Sequence, residues 1–246
     1  MGFPSLHAAG VRALGLALGI LSLAAGDARA AETKSACDQA IERWDKTYTD
    51  RGDDQALAAA NALEKGPCAK PDAARARAVS RQGMVQFHRH DVVEASVAFE
   101  AAVELNPKDP ILRMSACGTL TELERYEDAI AMCEGGYELA KSQDDGSAAK
   151  HENVVMLGFN LALAKARRGR NSCGDRTIYE MFEAYRAAHP DHASVHQLLG
   201  GWVWDCDDDF DRGFALYKKS CALGQEAACE QVRYTEACRC ETRQPD

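Results

Sequence analysis

The chain is short of proline, of β-branched runs and of positive charge. Proline supplies 7 of 246 residues and aromatics 7%. β-Branched runs are few, which argues against a strand-rich core. Positive charge is in deficit, with 29 Lys and Arg against 38 Asp and Glu, a net −9. That balance excludes nucleic acid and anionic lipid as natural partners, because both reward clustered cations. No Cys-x-x-Cys pair occurs, so no thioredoxin-type redox centre is encoded and a compact zinc site is poorly supported. No Gly-rich phosphate loop, Ser-His-Asp set or paired-carboxylate signature stands out. After the first thirty residues no hydrophobic run is long enough to span a membrane, which needs ~20 residues.

What is there begins with MGFPSLHAAGVRALGLALGILSLAAGDARAAET. A weakly basic start (His7, Arg12) leads into an uncharged apolar run over 13–25, and Ala-Arg-Ala at 28–30 supplies a small-x-small cleavage pattern. Residues 1–30 therefore read as a secretory signal peptide cleaved near Ala30, with an exported protein, periplasmic or secreted, beyond it. No cysteine stands at the cleavage point to carry a lipid. All ten cysteines follow this segment, and an even number in an exported chain favours disulfides over thiolates or zinc.

The rest repeats itself. GMVQFHRHDVVEASVAFEAAVELNPKD (83–109) aligns without gaps with CGTLTELERYEDAIAMCEGGYELAKSQ (117–143) at an offset of 34. Gly83 falls on Cys117, Ala95 on Ala129, Phe99 on Cys133 and Ala102 on Gly136. Small residues at these places let two helices approach closely, and large ones fill the next gap. This pattern, with Pro107 after it, resembles the tetratricopeptide repeat. The resemblance implies an all-α fold, an α-solenoid of about five helix-turn-helix repeats plus a terminal helix, over residues 31–240. Its strongest repeats are 76–109 and 110–143. A front repeat carries Ala56 and Ala60, a fourth carries Leu157, Gly158, Phe182 and Pro190, and a fifth carries Leu199, Gly200, Gly213 and Tyr217. Residues 241–246 read as a disordered tail.

CALGQEAAC, Cys221 to Cys229, poses a separate question. On one helix the two cysteines would be turned by about 80° and lie about 12 Å apart, beyond disulfide reach. YKKSCALGQEAAC resembles the cysteine-rich, Sel-like variety of the repeat, in which a helix end and the next helix start are bridged. That likeness implies a Cys221–Cys229 staple around the Leu223-Gly224 turn. Placing the others on the same array suggests Cys37–Cys68, Cys117–Cys133 and Cys173–Cys206, with Cys238–Cys240 left as the final pair.

Three motifs could carry chemistry. Ser147 and Lys150 form Ser-x-x-Lys, as in penicillin-interacting serine enzymes, but neither Ser-Asp-Asn nor Lys-Thr-Gly accompanies them, and Ser147 reads more simply as a helix cap. His189, His192 and His196 include a one-turn pair able to share a metal, although the metalloprotease glutamate is missing. DCDDDFD (205–211) alternates carboxylates like a calcium loop, but Phe210 and Leu216 stand where the loop needs glycine and glutamate. The expectation is no metal, no cofactor and no enzyme.

The resemblance further implies a concave groove lined by the first helix of each repeat. Its outward positions here would be Arg77, Met84, Phe87 and His88, then Met114 and Phe159, then Gln197 and Trp204. Phe, Met and Trp beside Arg and His suit the anchoring of a peptide. Ser80, Met84 and His88 replace the residues of a carboxylate clamp, so a chaperone tail is not the expected ligand. The functional expectation is an exported protein- or peptide-binding scaffold. The alternative, by likeness to the Sel-like type, is a binder or weak hydrolase of β-lactams or cell-wall fragments.

Overall fold

The computed structural model describes residues 34–48, 53–169 and 172–241. The expected leader (1–30) and nearly all of the expected tail lie outside them. Among the described residues there are eleven α-helices and no strand. The chain divides into two compact units with the boundary at 170/171, inside the expected fourth repeat. The first holds α1 (Ala36–Thr47), α2 (Asp53–Lys65), α3 (Asp72–His88), α4 (Val92–Leu105), α5 (Pro110–Glu122), α6 (Tyr126–Gln143) and α7 (Ala148–Arg168). The second holds a 3-10 turn (Ser172–Gly174), α8 (Arg176–Ala188), α9 (Ala193–Cys206), α10 (Phe210–Ala222) and α11 (Glu226–Glu241).

Local chemistry sets the helix ends. Ser35 opens α1 with a reciprocal cap: its hydroxyl accepts from Asp38 N at 3.1 Å, and the Asp38 carboxylate accepts from Ser35 N at 3.2 Å. Asp109 caps α5 at 2.9 Å from Ile111 N, with Pro110 in the first turn where its missing N–H costs nothing. The turns inside the hairpins repeat as the sequence does. Asp91 N donates to Gln86 O at 2.9 Å, and 34 residues on Arg125 N donates to Leu120 O at 3.0 Å. The preceding residues, His90 (φ 65°) and Glu124 (φ 59°), take the left-handed conformation that closes such a helix end.

Packing in the first unit follows the small-residue pattern. A Cβ on Gly83 would stand 2.9 Å from the Phe99 ring, so glycine is what lets α3 and α4 close on one another. Ile41, Trp44, Ala60, Leu63 and Ala78 form a buried cluster of α1–α3. Val79, Phe99, Ala102, Leu112 and Ala116 form the next, between α3, α4 and α5. Each large side chain buried in this way contributes roughly 1.5–3 kcal/mol of transfer free energy. α7 packs on both α5 and α6 and ends the first unit.

Among the described residues, four disulfides staple the helices. Cys37–Cys68 joins the start of α1 to the segment after α2 (Cα–Cα 4.8 Å), and Cys117–Cys133 ties α5 to α6 (5.4 Å). In the second unit Cys173–Cys206 joins the 3-10 turn to the end of α9 (5.0 Å). Cys221–Cys229 crosses the α10–α11 bend (4.6 Å), where Gly224 takes a φ of 94°. The side chains of the remaining expected pair, Cys238–Cys240, lie outside the described residues.

The second unit buries Ile178, Phe182 and Tyr185 from α8 and Val195, Leu199 and Val203 from α9. α9 and α10 cross at Gly200 and Gly213. Ser220 Oγ donates to Ala193 O at 2.8 Å and pins the far end of the same pair.

Candidate functional site

Helices α2 and α4 both pack on α3 and leave a groove of about 710 Å³ above it, within the range of ligand-sized clefts. One wall is α2, with Leu57, Asn61 and Glu64 at one-turn spacing. The floor is α3, with Arg75, Val79, Gln82 and Gln86, again along one helix face. The other wall is the α4 stripe Val93, Val97, Ala101 and Leu105, with Glu94 and Glu104 beside it. Glu64 is answered from the floor: Gln82 Nε2 donates to it at 2.8 Å and Arg75 Nε at 3.0 Å. The Gln82 bond and then Arg75 hold its carboxyl below the usual range, so it stays charged. Glu94 and Glu104 make no ion pair with any described residue. Val93 is 58% exposed and Val97 62%.

The face of first helices is more occupied than its sequence suggests. Arg77 pairs with Asp38 at 2.5 Å, and the Ser35 hydroxyl together with Arg77 holds that carboxyl below its ordinary value. Arg81 grips Asp45 through two bonds, 3.0 and 2.8 Å. His88 is exposed but meets Tyr48 edge to face at 5.6 Å. Met84 and Phe87 pack partly buried against the α3–α5 cluster. Two expected groove residues are closed off and must be corrected. Met114 (8% exposed) is buried with Ala140 and Leu157, and Phe159 is 6% exposed. The cause is α7, which lies on α5 and α6 and covers what an open face would have shown. In the second unit the Gln197 side chain accepts from Gln225 Nε2 at 3.0 Å, and Trp204 sits edge-on to Phe210 (5.3 Å) and Tyr217 (5.9 Å).

Comparison of the fold with solved structures gives consistent neighbours. MamA (41-end) from Desulfovibrio magneticus RS-1 matches with a TM-score of 0.56 at 14% identity, covering 76% of this chain and 94% of its own. YrrB, described as a TPR protein with an unusual peptide-binding site, matches at 0.55 and 17%, covering 81% and 98%. PilW, a type IV pilus biogenesis factor, matches at 0.56 and 14%, covering 82% and 92%. The fold is that of the tetratricopeptide repeat. No protein-family model and no curated protein matches the sequence.

On this repeat scaffold the three chemical motifs are occupied by structural contacts. Ser147 is the residue at the N-cap of α7, but its side chain makes no cap bond. Instead Ser147 and Lys150 both bind Asp145: Lys150 Nζ donates to Asp145 Oδ2 at 2.7 Å and Ser147 N to Oδ1 at 3.1 Å. Lys150, then Ser147, hold the Asp145 carboxyl well below its usual range. Lys150 Nζ is thus engaged by Asp145 rather than placed as a base for the Ser147 hydroxyl. His189 and His192 flank Tyr185 at 4.4 and 5.2 Å, while His196 Nε2 lies 2.8 Å from Pro190 O. In the acidic turn Asp207 pairs with Arg176 at 2.7 Å, and Asp209 caps α10 at 3.1 Å from Arg212 N. Among the described residues no group of three or more His, Cys, Asp or Glu is placed to hold a metal.

The α2–α3–α4 groove was not singled out by sequence reasoning. The signal for it is present: α4 is apolar on two faces. Ala95, Phe99 and Ala102 face the core, while Val93, Val97, Ala101 and Leu105 line the groove.

Proposed function

We propose that this chain is an exported scaffold that binds a segment of another protein on its tetratricopeptide-type array. The observation that carries this reading is the groove on α2, α3 and α4, a helical cleft of about 710 Å³ whose α4 wall exposes Val93 and Val97. Exposed apolar side chains grouped along a cleft and rimmed by charge are the usual mark of a protein-binding surface. Export is supported by the apolar stretch over 13–25 and by four disulfides in a chain of this kind, since such bonds persist in oxidising compartments. The likeness to YrrB, described as having a peptide-binding site, is consistent with it.

In this reading the groove of first helices contributes less than the resemblance alone implies. Arg77 is held by Asp38, and Met114 and Phe159 are buried. In the first unit Met84, Phe87 and His88 remain only as partial contacts; in the second, taken by itself, Gln197 bonds Gln225 and Trp204 packs on Phe210 and Tyr217. The test is to express the full gene with a C-terminal tag, fractionate the cells, and cross-link before purification. The expected result is a mature chain beginning near residue 31 in the exported fraction, with a partner that rebinds saturably when both are pure. A chain retained in the cytosol with reduced cysteines, or capture that persists after the array is denatured, would remove the reading.

A further inference from the structure

We propose that the α2–α3–α4 groove receives an amphipathic α-helix of about three to four turns carrying Lys or Arg on its flanks. This rests on the protein-binding reading above and names the chemistry of the partner.

The shape of the lining selects a helix. The α4 stripe runs from Val93 through Val97 and Ala101 to Leu105, a rise of about 18 Å at 1.5 Å per residue. The opposite wall repeats the same one-turn spacing at Leu57, Asn61 and Glu64. An extended peptide laid there would need partners for its own N–H and C=O groups; the groove has no sheet edge and offers only the carboxamides of Asn61, Gln82 and Gln86, of which Gln82 already donates to Glu64. A helix satisfies its own backbone and presents an apolar stripe with the same period as the walls.

The exposed valines are not explained by α4 itself. Valine is a weaker helix former than alanine or leucine, by a few tenths of a kcal/mol per position, and at solvent positions no packing repays that. Val93 and Val97 are more than half exposed, so covering them is what an occupant would gain.

The charge selects a basic partner. Of the four ionic residues lining the groove, Arg75 is already spent on Glu64. Glu94 and Glu104 remain, without an ion pair among the described residues and ten positions apart, about 15 Å along the helix. Glu94 suits the first turn of α4, but Glu104 stands in its last turn, where a carboxylate opposes the helix dipole and no basic residue accompanies it. A cation from the partner would relieve that. A second copy of this chain is disfavoured on this face, because it would bring two acidic lips together in a protein of net charge −9.

The experiment uses the disulfide-intact mature chain and two labelled 14-residue helical peptides. Both carry the same leucine stripe, one with flanking lysines and one with flanking glutamates, followed by fluorescence anisotropy at low and high salt. The lysine peptide is expected to bind saturably and the glutamate peptide at least tenfold more weakly, with the gap narrowing in salt. Val97→Asp is expected to weaken binding at least tenfold with helical circular dichroism unchanged, since Val97 is exposed. The double variant Glu94→Lys, Glu104→Lys should reverse the charge preference. Equal binding of both peptides, or affinity untouched by Val97→Asp and the charge reversal, would overturn the proposal. So would a wild-type dimer in sedimentation that Val97→Asp dissociates, because a second copy would then be the occupant. A cellular partner that binds normally to these variants would overturn this inference alone and leave the broader reading standing.

Discussion

Gly200 and Gly213 face each other where α9 crosses α10, so closely that a Cβ on either would lie 3.1 or 3.0 Å from the other's carbonyl oxygen. Gly213 occupies the place where the repeat pattern calls for alanine. A Cβ there would also meet Trp204 Cβ at 3.2 Å. Helix propensity favours Gly213→Ala by up to about 1 kcal/mol, but the obstacle is backbone, which cannot rotate away, and overpacking typically costs 1–3 kcal/mol. The clash wins. Gly213→Ala is expected to lower stability by about 1 kcal/mol in chemical denaturation, and a gain in stability would show that α9 and α10 can separate freely.

The four disulfides differ in access. Cys68, Cys117 and Cys133 are fully buried and Cys37 nearly so, whereas Cys173 is exposed and Cys206, Cys221 and Cys229 are partly open. Thiol–disulfide exchange requires the attacking thiolate to reach a sulfur. Under mild native reduction followed by alkylation and peptide mapping, Cys173, Cys206, Cys221 and Cys229 should be labelled well before the first-unit pairs. Earlier labelling of Cys117 and Cys133 would mean that the α5–α6 hairpin opens more readily than its burial implies.

How far the sequence reaches depends on whether a feature is periodic. Gly83, Ala95 and Phe99 were legible because the contact that needs them lies inside one hairpin and recurs 34 residues later. The bend at Gly224 was legible too, because one helix cannot join Cys221 to Cys229. Met114 and Phe159 were not, since their burial depends on α7 settling over α5 and α6, which no local period encodes. The α4 groove stripe escaped for the opposite reason: its valines read as more core in an already apolar helix, and only the gap left between α2 and α4 exposes them. Glu104 is visible as an oddity at a helix end, but its isolation from cations needs three-dimensional neighbours.

His192 gives the second unit a pH dependence of definite sign. Burial, and then the neighbouring His189, lower its pKa from the ordinary 6.5. Tyr185, His189 and His196 are among the groups that face it. The unfolded chain therefore takes up a proton near pH 6.5 that the folded chain resists. Its contribution to stability is fully present above that pH and is lost as the pH falls through the interval between the unfolded and the lowered folded value. His192 is also the N-cap of α9 without a side-chain cap bond, so His192→Asn replaces a titrating group by a good cap. Thermal melts from pH 7.5 to 5 should show a shallower decline for His192→Asn, with a gain of about 1 kcal/mol near neutrality. An unchanged slope would move the pH dependence to other groups.

Ser147 and Lys150 provide the sharpest test between a scaffold and a penicillin-interacting enzyme. Acylation of the serine requires a base to take its proton, and here Asp145 holds the Lys150 ammonium at 2.7 Å on an exposed loop. Incubation with a fluorescent penicillin is therefore expected to leave the pure protein unlabelled, and Asp145→Ala should not create labelling, because neither Ser-Asp-Asn nor Lys-Thr-Gly accompanies the pair in the sequence. Covalent labelling that disappears in Ser147→Ala, with the helical spectrum intact, would replace the scaffold reading with an enzymatic one.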